Sequence, residues 1–304
     1  MDYTLTLLGT SAAVPSPERF TSAQVLEVPG KSYLIDCGEG TQVQMRKFGI
    51  KQATIHQIFI SHLHGDHFFG LPGLLTSWGL NGREKDLAIF GPTGLEEIIE
   101  TILRHVNSNG LPYKIYFHQT RADLSEVIIE DSRFQISTIP LKHRVATTGF
   151  LFEEKPKPLN IRPEMIDRLG IPFSDIPAIK QGQDWLSPDG KKIPNTELIF
   201  PPKAPRKFAY CSDTAYLESI IPLIAGADLL YHEATFLDSE KQRAEETGHS
   251  TVSDAARIAA AAGVKKLVVG HYSSRYRDMS RFLAEGQPVF PMLELGYDGK
   301  QIKF

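Results

Sequence analysis

The sequence predicts an α/β fold: a sandwich of two mixed sheets with outer helices and one inserted arm. Three observations carry this. Short strand patterns and helical patterns alternate through both halves of the 304-residue chain. The apolar run Ile58-Phe59-Ile60 leads straight into Ser61-His62-Leu63-His64-Gly65-Asp66-His67, a ligand-rich loop at a strand end. From about residue 153 to 205 the rhythm breaks, with Pro156, Pro158, Pro163, Pro172, Pro177, Pro188, Pro194, Pro201 and Pro202 spread through weak apolar periodicity.

In chain order, residues 3–8 alternate as a strand that Gly9 stops, and strands follow at 32–36 and 57–60. Beyond the histidines, residues 71–80 and 94–105 carry helical spacing, separated by a strand at 87–90 and the breakers Gly91-Pro92. The second half repeats this. Strands are expected at 134–139, 207–211, 228–231 and 266–269, a helix at 215–225, and an alanine-rich helix at 251–262 bounded by Ser250 and Gly263. The segment 153–205 reads as an arm with one short helix, 163–169, inserted into a single domain spanning 1–304.

Composition narrows the function. With 41% hydrophobic residues the chain can build a large core, which excludes a disordered protein. No apolar run reaches the roughly 18 residues of a membrane span, and the start lacks a basic, then apolar, leader, so a cytoplasmic protein with no membrane partner is expected. Cys37 and Cys211 are the only cysteines, which excludes a disulfide framework and a cysteine-based zinc ribbon. A net charge of −3 argues against nucleic-acid binding through overall basicity. The local basic run at 203–207, with Lys191 and Lys192 upstream, reads as a solvated loop.

Three imidazoles and a carboxylate within six positions would repel or lie unpaired without a cation, and neutral imidazole and carboxylate are zinc ligands at neutral pH. His62 and His64 alternate and can face one ion. Asp66 and His67 begin the next turn and can face a second, so two metals are implied. One loop cannot surround both, and His143, Asp213 and His271 each follow an expected strand. Gly38, Gly40, Gly65 and Gly70 read as backbone devices near the site, and Ser61 and Asp36 as groups able to orient ligand imidazoles.

The chain resembles the metallo-β-lactamase superfamily through His-x-His-x-Asp-His and, within it, the ribonuclease Z family. The finer matches are Gly9-Thr10-Ser11, Asp36-Cys37-Gly38-Glu39-Gly40-Thr41-Gln42, Gly70-Leu71-Pro72-Gly73-Leu74, Ser212-Asp213-Thr214, His232-Glu233-Ala234-Thr235-Phe236, His249-Ser250-Thr251 and His271-Tyr272-Ser273-Ser274-Arg275-Tyr276. They span nearly the whole chain in family order. The resemblance implies a metallo-β-lactamase-like αβ/βα sandwich and a hydrolase that removes the 3′ trailer from precursor tRNA. It implies two Zn2+ ions per subunit, or other divalent metals: one held by His62, His64 and His143, the other by Asp66, His67 and His271, with Asp213 bridging. Asp66 is then the proton acceptor, and His249, oriented by Glu233, the proton donor to the leaving 3′ oxygen. The arm matches a tRNA-gripping exosite that serves the partner subunit of a homodimer, but its tip, Leu169-Gly170-Ile171-Pro172-Phe173, departs from the family's Gly-Pro-rich pattern. The alternatives are a small-molecule phosphodiesterase of the same superfamily and a non-catalytic, metal-bound RNA-binding scaffold.

Overall fold

The computed structural model describes residues 3–106, 110–202 and 204–304, so Lys203 of the basic run lies outside the described residues. The chain divides into two compact units: Met1–Ile129, Ile136–Phe152 and Lys207–Phe304 form the first, Glu130–Gln135 and Glu153–Arg206 the second.

Among the described residues, the first unit carries two seven-stranded sheets. The strands are β1 (Thr4–Gly9), β2 (Ala23–Val28), β3 (Lys31–Cys37), β4 (Ile55–Phe59), β5 (Leu87–Gly91), β6 (Ile115–Gln119), β7 (Val127–Glu130), β8 (Phe134–Pro140) and β9 (Thr148–Glu154). After the short arm strands β10 (Trp185–Leu186) and β11 (Lys192–Ile193) come β12 (Lys207–Cys211), β13 (Leu229–Glu233), β14 (Leu267–Gly270), β15 (Leu293–Leu295) and β16 (Gln301–Lys303). One sheet runs β16-β1-β2-β3-β4-β5-β6, the other β15-β14-β13-β12-β9-β8-β7. Both are mixed or partly parallel, with parallel ladders from β3 to β6 and from β12 to β15.

Alternation explains how the layers stack. In β12, Phe208 and Tyr210 point one way, while Ala209 and Cys211 join the helix-side core. Aromatic rings fill the space between the sheets: Phe59 lies 5.2 Å from Phe150, and Tyr33 5.5 Å from Phe152. On the outer faces, the helix Leu71–Leu80 buries Leu71, Leu74, Leu75 and Trp78, spaced as one helical stripe. The helix Val252–Ala262 lays a small-residue face on the second sheet. Its N-cap is Thr251, in a capping box with Asp254, rather than the expected Ser250, whose hydroxyl instead donates to the Thr214 carbonyl at 2.7 Å.

The expected helix at 215–225 is shorter. A 3-10 turn at Glu218–Ile220 leads into Ile221–Ile224, because Pro222 is tolerated only in the first turn and defers the helix start.

The loops after β3 and β4 lock together through glycine. A Cβ on Gly70 would sit 2.1 Å from the Gly38 carbonyl oxygen, and one on Gly38 would sit 2.3 Å from that of Asp66. Backbone cannot yield here, so Gly70→Ala is expected to lower unfolding free energy by about 2–3 kcal/mol, measured by urea denaturation. A variant as stable as the parent would show that the two loops separate freely.

The second unit has a core of its own, built from Ile171, Ile179, Trp185, Ile193, Leu198 and Ile199. Its described residues form three helices, Pro163–Leu169, Ile176–Lys180 and Asn195–Leu198, where the sequence predicted one. The prolines mislead: Pro177 stands in the first turn of one unpredicted helix and Pro194 at the N-cap of the other, where a missing N–H costs nothing. The Trp185 indole donates to Asp175 Oδ2 at 2.8 Å, and Asn195 donates to the carbonyls of Ile179 and Gln183 at 2.7 and 2.9 Å.

Candidate metal centre

Parallel strands end at a common rim, where the loops that leave them meet. β4 feeds His62 and His64 and then the short helix Gly65–Phe68 with Asp66 and His67; β8 feeds His143; β12 feeds Asp213; β14 feeds His271. Register keeps them level, Cys211 pairing with His232 and Glu233 with Gly270. The candidate residues from distant segments therefore meet.

They meet as two clusters. His62 Nε2 lies 3.1 Å from His64 Nδ1 and 3.5 Å from Asp213 Oδ2; His143 Nε2 lies 3.3 Å from His64 Nδ1 and 3.9 Å from Asp213 Oδ2. In the second cluster His271 Nε2 lies 3.3 Å from His67 Nε2, 3.4 Å from Asp66 Oδ2 and 3.2 Å from Asp213 Oδ1. Asp213 thus turns one oxygen to each. Ligands about 2.0–2.1 Å from a tetrahedral zinc stand about 3.4 Å apart, so both donor sets have the size and chemistry to hold such an ion.

Proton affinities follow from this crowding. Burial, reinforced by the neighbouring His67, holds the His62 pKa well below its ordinary value, and burial also lowers His64 and His143, leaving neutral imidazoles with lone pairs. Burial opposes the Asp213 carboxylate, but the surrounding His271, His67 and His62 outweigh it and keep it ionised.

Further partners orient these side chains. His67 Nδ1 donates to Asp36 Oδ2 at 2.8 Å; that carboxylate also accepts from the Ser61 N–H at 2.8 Å, the Ser61 hydroxyl at 2.9 Å and the Tyr210 hydroxyl at 2.5 Å. His143 Nδ1 donates to the Gly248 carbonyl at 2.7 Å, and His271 Nδ1 meets the Thr235 hydroxyl at 2.9 Å. Ser61 and Asp36 stand where the sequence placed them. Tyr210 and Thr235 were not singled out: strand alternation marks Tyr210 only as inward-facing, and Thr235 lies in the loop just past β13, where a hydroxyl carries no signal of its own.

Glu233 is fully buried and accepts from His249 Nδ1 at 2.8 Å, the Thr214 N–H at 3.0 Å, and the Thr235 N–H and hydroxyl at 2.9 and 2.7 Å. Burial disfavours a charged His249, but the Glu233 carboxylate prevails and raises its pKa to about 9. With Nδ1 engaged, Nε2 remains for the cleft. His249 also comes within ligand range of Asp213 and His271.

Backbone strain concentrates here. Among the described residues, the non-glycine residues with positive φ are Ala13 (62°), Asp36 (55°) and His271 (58°), a conformation that costs about 1–3 kcal/mol each. In this conformation the Ala13 N–H reaches Asp66 Oδ2 at 2.7 Å. Nothing in the sequence marks Ala13 for this. Gly40 also has positive φ (83°), while a Cβ on Gly65 would strike the Phe69 ring. Asp66, His249 and His271 open into a cleft of about 660 Å³ that Phe69, Arg243 and Arg275 also line.

Family models match both halves: that of the anti-Pycsar protein Apyc1 covers residues 3–156, and that of the beta-lactamase superfamily domain covers 168–272. A ribonuclease Z of Parabacteroides distasonis is 46% identical over 99% of each chain, and one of Bacteroides fragilis is 46% identical over 95% of each. Among solved structures, human tRNase Z, short form, superposes with a TM-score of 0.72 at 30% identity over 98% of each chain. With the sandwich, the strand-end His and Asp clusters and identity sustained from end to end, the chain belongs to the ribonuclease Z family of the metallo-β-lactamase superfamily.

Proposed function

We propose that this chain is a zinc-dependent endoribonuclease that removes the 3′ trailer from precursor tRNA, leaving a 3′-hydroxyl on the tRNA and a 5′-phosphate on the trailer. The observation that supports it most is Asp213, which offers one oxygen to each of two ligand clusters at the floor of an open cleft. In this reading His62, His64 and His143 hold one ion, Asp66, His67 and His271 the other, and Asp213 both. Bound there, two such ions supply Lewis acidity at the phosphodiester and lower the pKa of water. Asp66, steadied by the Ala13 N–H, accepts the proton of the attacking water. His249, held in charge and orientation by Glu233, gives a proton to the 3′ oxygen as its bond to phosphorus breaks. The homodimer and the cytoplasmic location belong to the same proposal and rest on family membership; among the described residues, no helix is long and apolar enough to cross a membrane.

The test is cleavage of a 3′-extended tRNA by zinc-supplied protein, with the cut mapped to the mature 3′ end. A protein that ignores this RNA yet turns over small phosphodiesters well would defeat the assignment. The arm provides a second arm of the test. Glu154 N–H donates to the Arg206 carbonyl at 2.8 Å, so a short glycine-serine link can replace residues 155–204. That replacement is expected to raise KM for precursor tRNA at least about tenfold more than KM for a small diester, which is too short to reach an exosite.

A further inference from the structure

Resting on the RNA-cleaving reading above, we propose that Phe69 is a stacking platform for a nucleobase that flanks the scissile phosphate. Phe69 is 67% exposed, an unusual state for a large aromatic side chain, and it lines the same cleft as Asp66, three residues away. Its exposure is built in. The Phe69 N–H is bonded to the Gly65 carbonyl at 2.9 Å, and the ring lies against Gly65 so closely that a Cβ there would come within 2.3–2.7 Å of ring atoms. The buried Phe68 ring meets it edge-on at 5.0 Å. One side of the ring is thus braced by backbone and a core aromatic while most of its surface faces solvent at the reaction site.

The surrounding chemistry suits a nucleotide. Arg243 lines the same cleft, and its guanidinium has no ion pair or hydrogen bond among the described residues. Arg275 also faces it, anchored to Glu240 Oε2 at 2.8 Å and seated 5.2 Å from the Phe236 ring centre. A cleft with cations for phosphate and one open aromatic face offers both halves of single-strand recognition. Stacking tolerates any base, because every base has a π-face, so Phe69 contributes grip and orientation without demanding a sequence.

The experiment compares the wild type with Phe69→Leu, Phe69→Ala and Phe69→Trp on 3′-extended tRNA and on bis(p-nitrophenyl) phosphate. Leucine keeps an apolar side chain and removes the π-face. Phe69→Leu and Phe69→Ala are expected to raise KM for tRNA by about tenfold more than KM for the diester, and Phe69→Trp to restore tRNA processing to near the parent level. As a readout independent of turnover, 2-aminopurine placed beside the scissile phosphate should be quenched on binding to the Asp66→Ala protein and to its Phe69→Trp derivative, but not to its Phe69→Leu derivative. Phe69→Leu protein that processes and quenches like the parent overturns the stacking role alone. So does a defect equal on both substrates, or one that follows a change in subunit number by light scattering. A wild-type protein that leaves the tRNA uncut brings down both this role and the endoribonuclease reading.

Discussion

Asp66→Ala is expected to lower kcat for phosphodiester cleavage by about three orders of magnitude or more, with the native secondary structure retained by circular dichroism. Its carboxylate meets His67 Nε2 at 3.5 Å, His271 Nε2 at 3.4 Å and the Ala13 N–H at 2.7 Å, and in the proposed mechanism it serves both as ligand and as the group that takes a proton. The informative companion is Asp66→Asn. It preserves the shape and can still accept from Ala13, but it holds no charge and has little affinity for a proton. Loss comparable to that of alanine would place the function in the ionised carboxylate. An asparagine variant that retains most of its activity would mean that Asp66 only shapes the loop.

Asp213→Ala is expected to be as severe in turnover and also to change composition: metal content by elemental analysis should fall from about two equivalents per chain to one or fewer. The reason is that no other described carboxylate places one oxygen in each cluster. Chelation of the parent protein should lower its melting temperature by several degrees, because ions that bind only the folded clusters stabilise it by mass action. A fully loaded Asp213→Ala protein would show that the two sites stand independently.

The candidate metal-binding residues were legible because their information is local. His62, His64, Asp66 and His67 fall within one turn-sized segment after a strand, and His143, Asp213 and His271 each announce themselves as polar residues ending an apolar run. The alternation at 207–211 and the helical stripe at 71–80 match the elements observed there. Strands such as Ala23–Val28, Ile115–Gln119 and Thr148–Glu154 were not anticipated. The first and last are buried on both faces for most of their length and so show no clean alternation. In the arm, apolar residues sit between prolines at irregular spacing, and only folding shows that six of them share a core.

The sequence alone determined the chemistry of this protein: which side chains can hold divalent ions, and that each lies at the end of a strand. Tertiary structure decided how they are used. The sharing of Asp213, the Tyr210 hydroxyl on Asp36 across 174 positions, the Ala13 N–H on Asp66 across 53, and the open ring of Phe69 all depend on register and close approach between distant segments. Periodicity records which way a side chain faces along its own element. What it meets there is set by the burial of both sheets against their helices and each other, and that packing also holds Ala13, Asp36 and His271 in conformations their own preferences oppose.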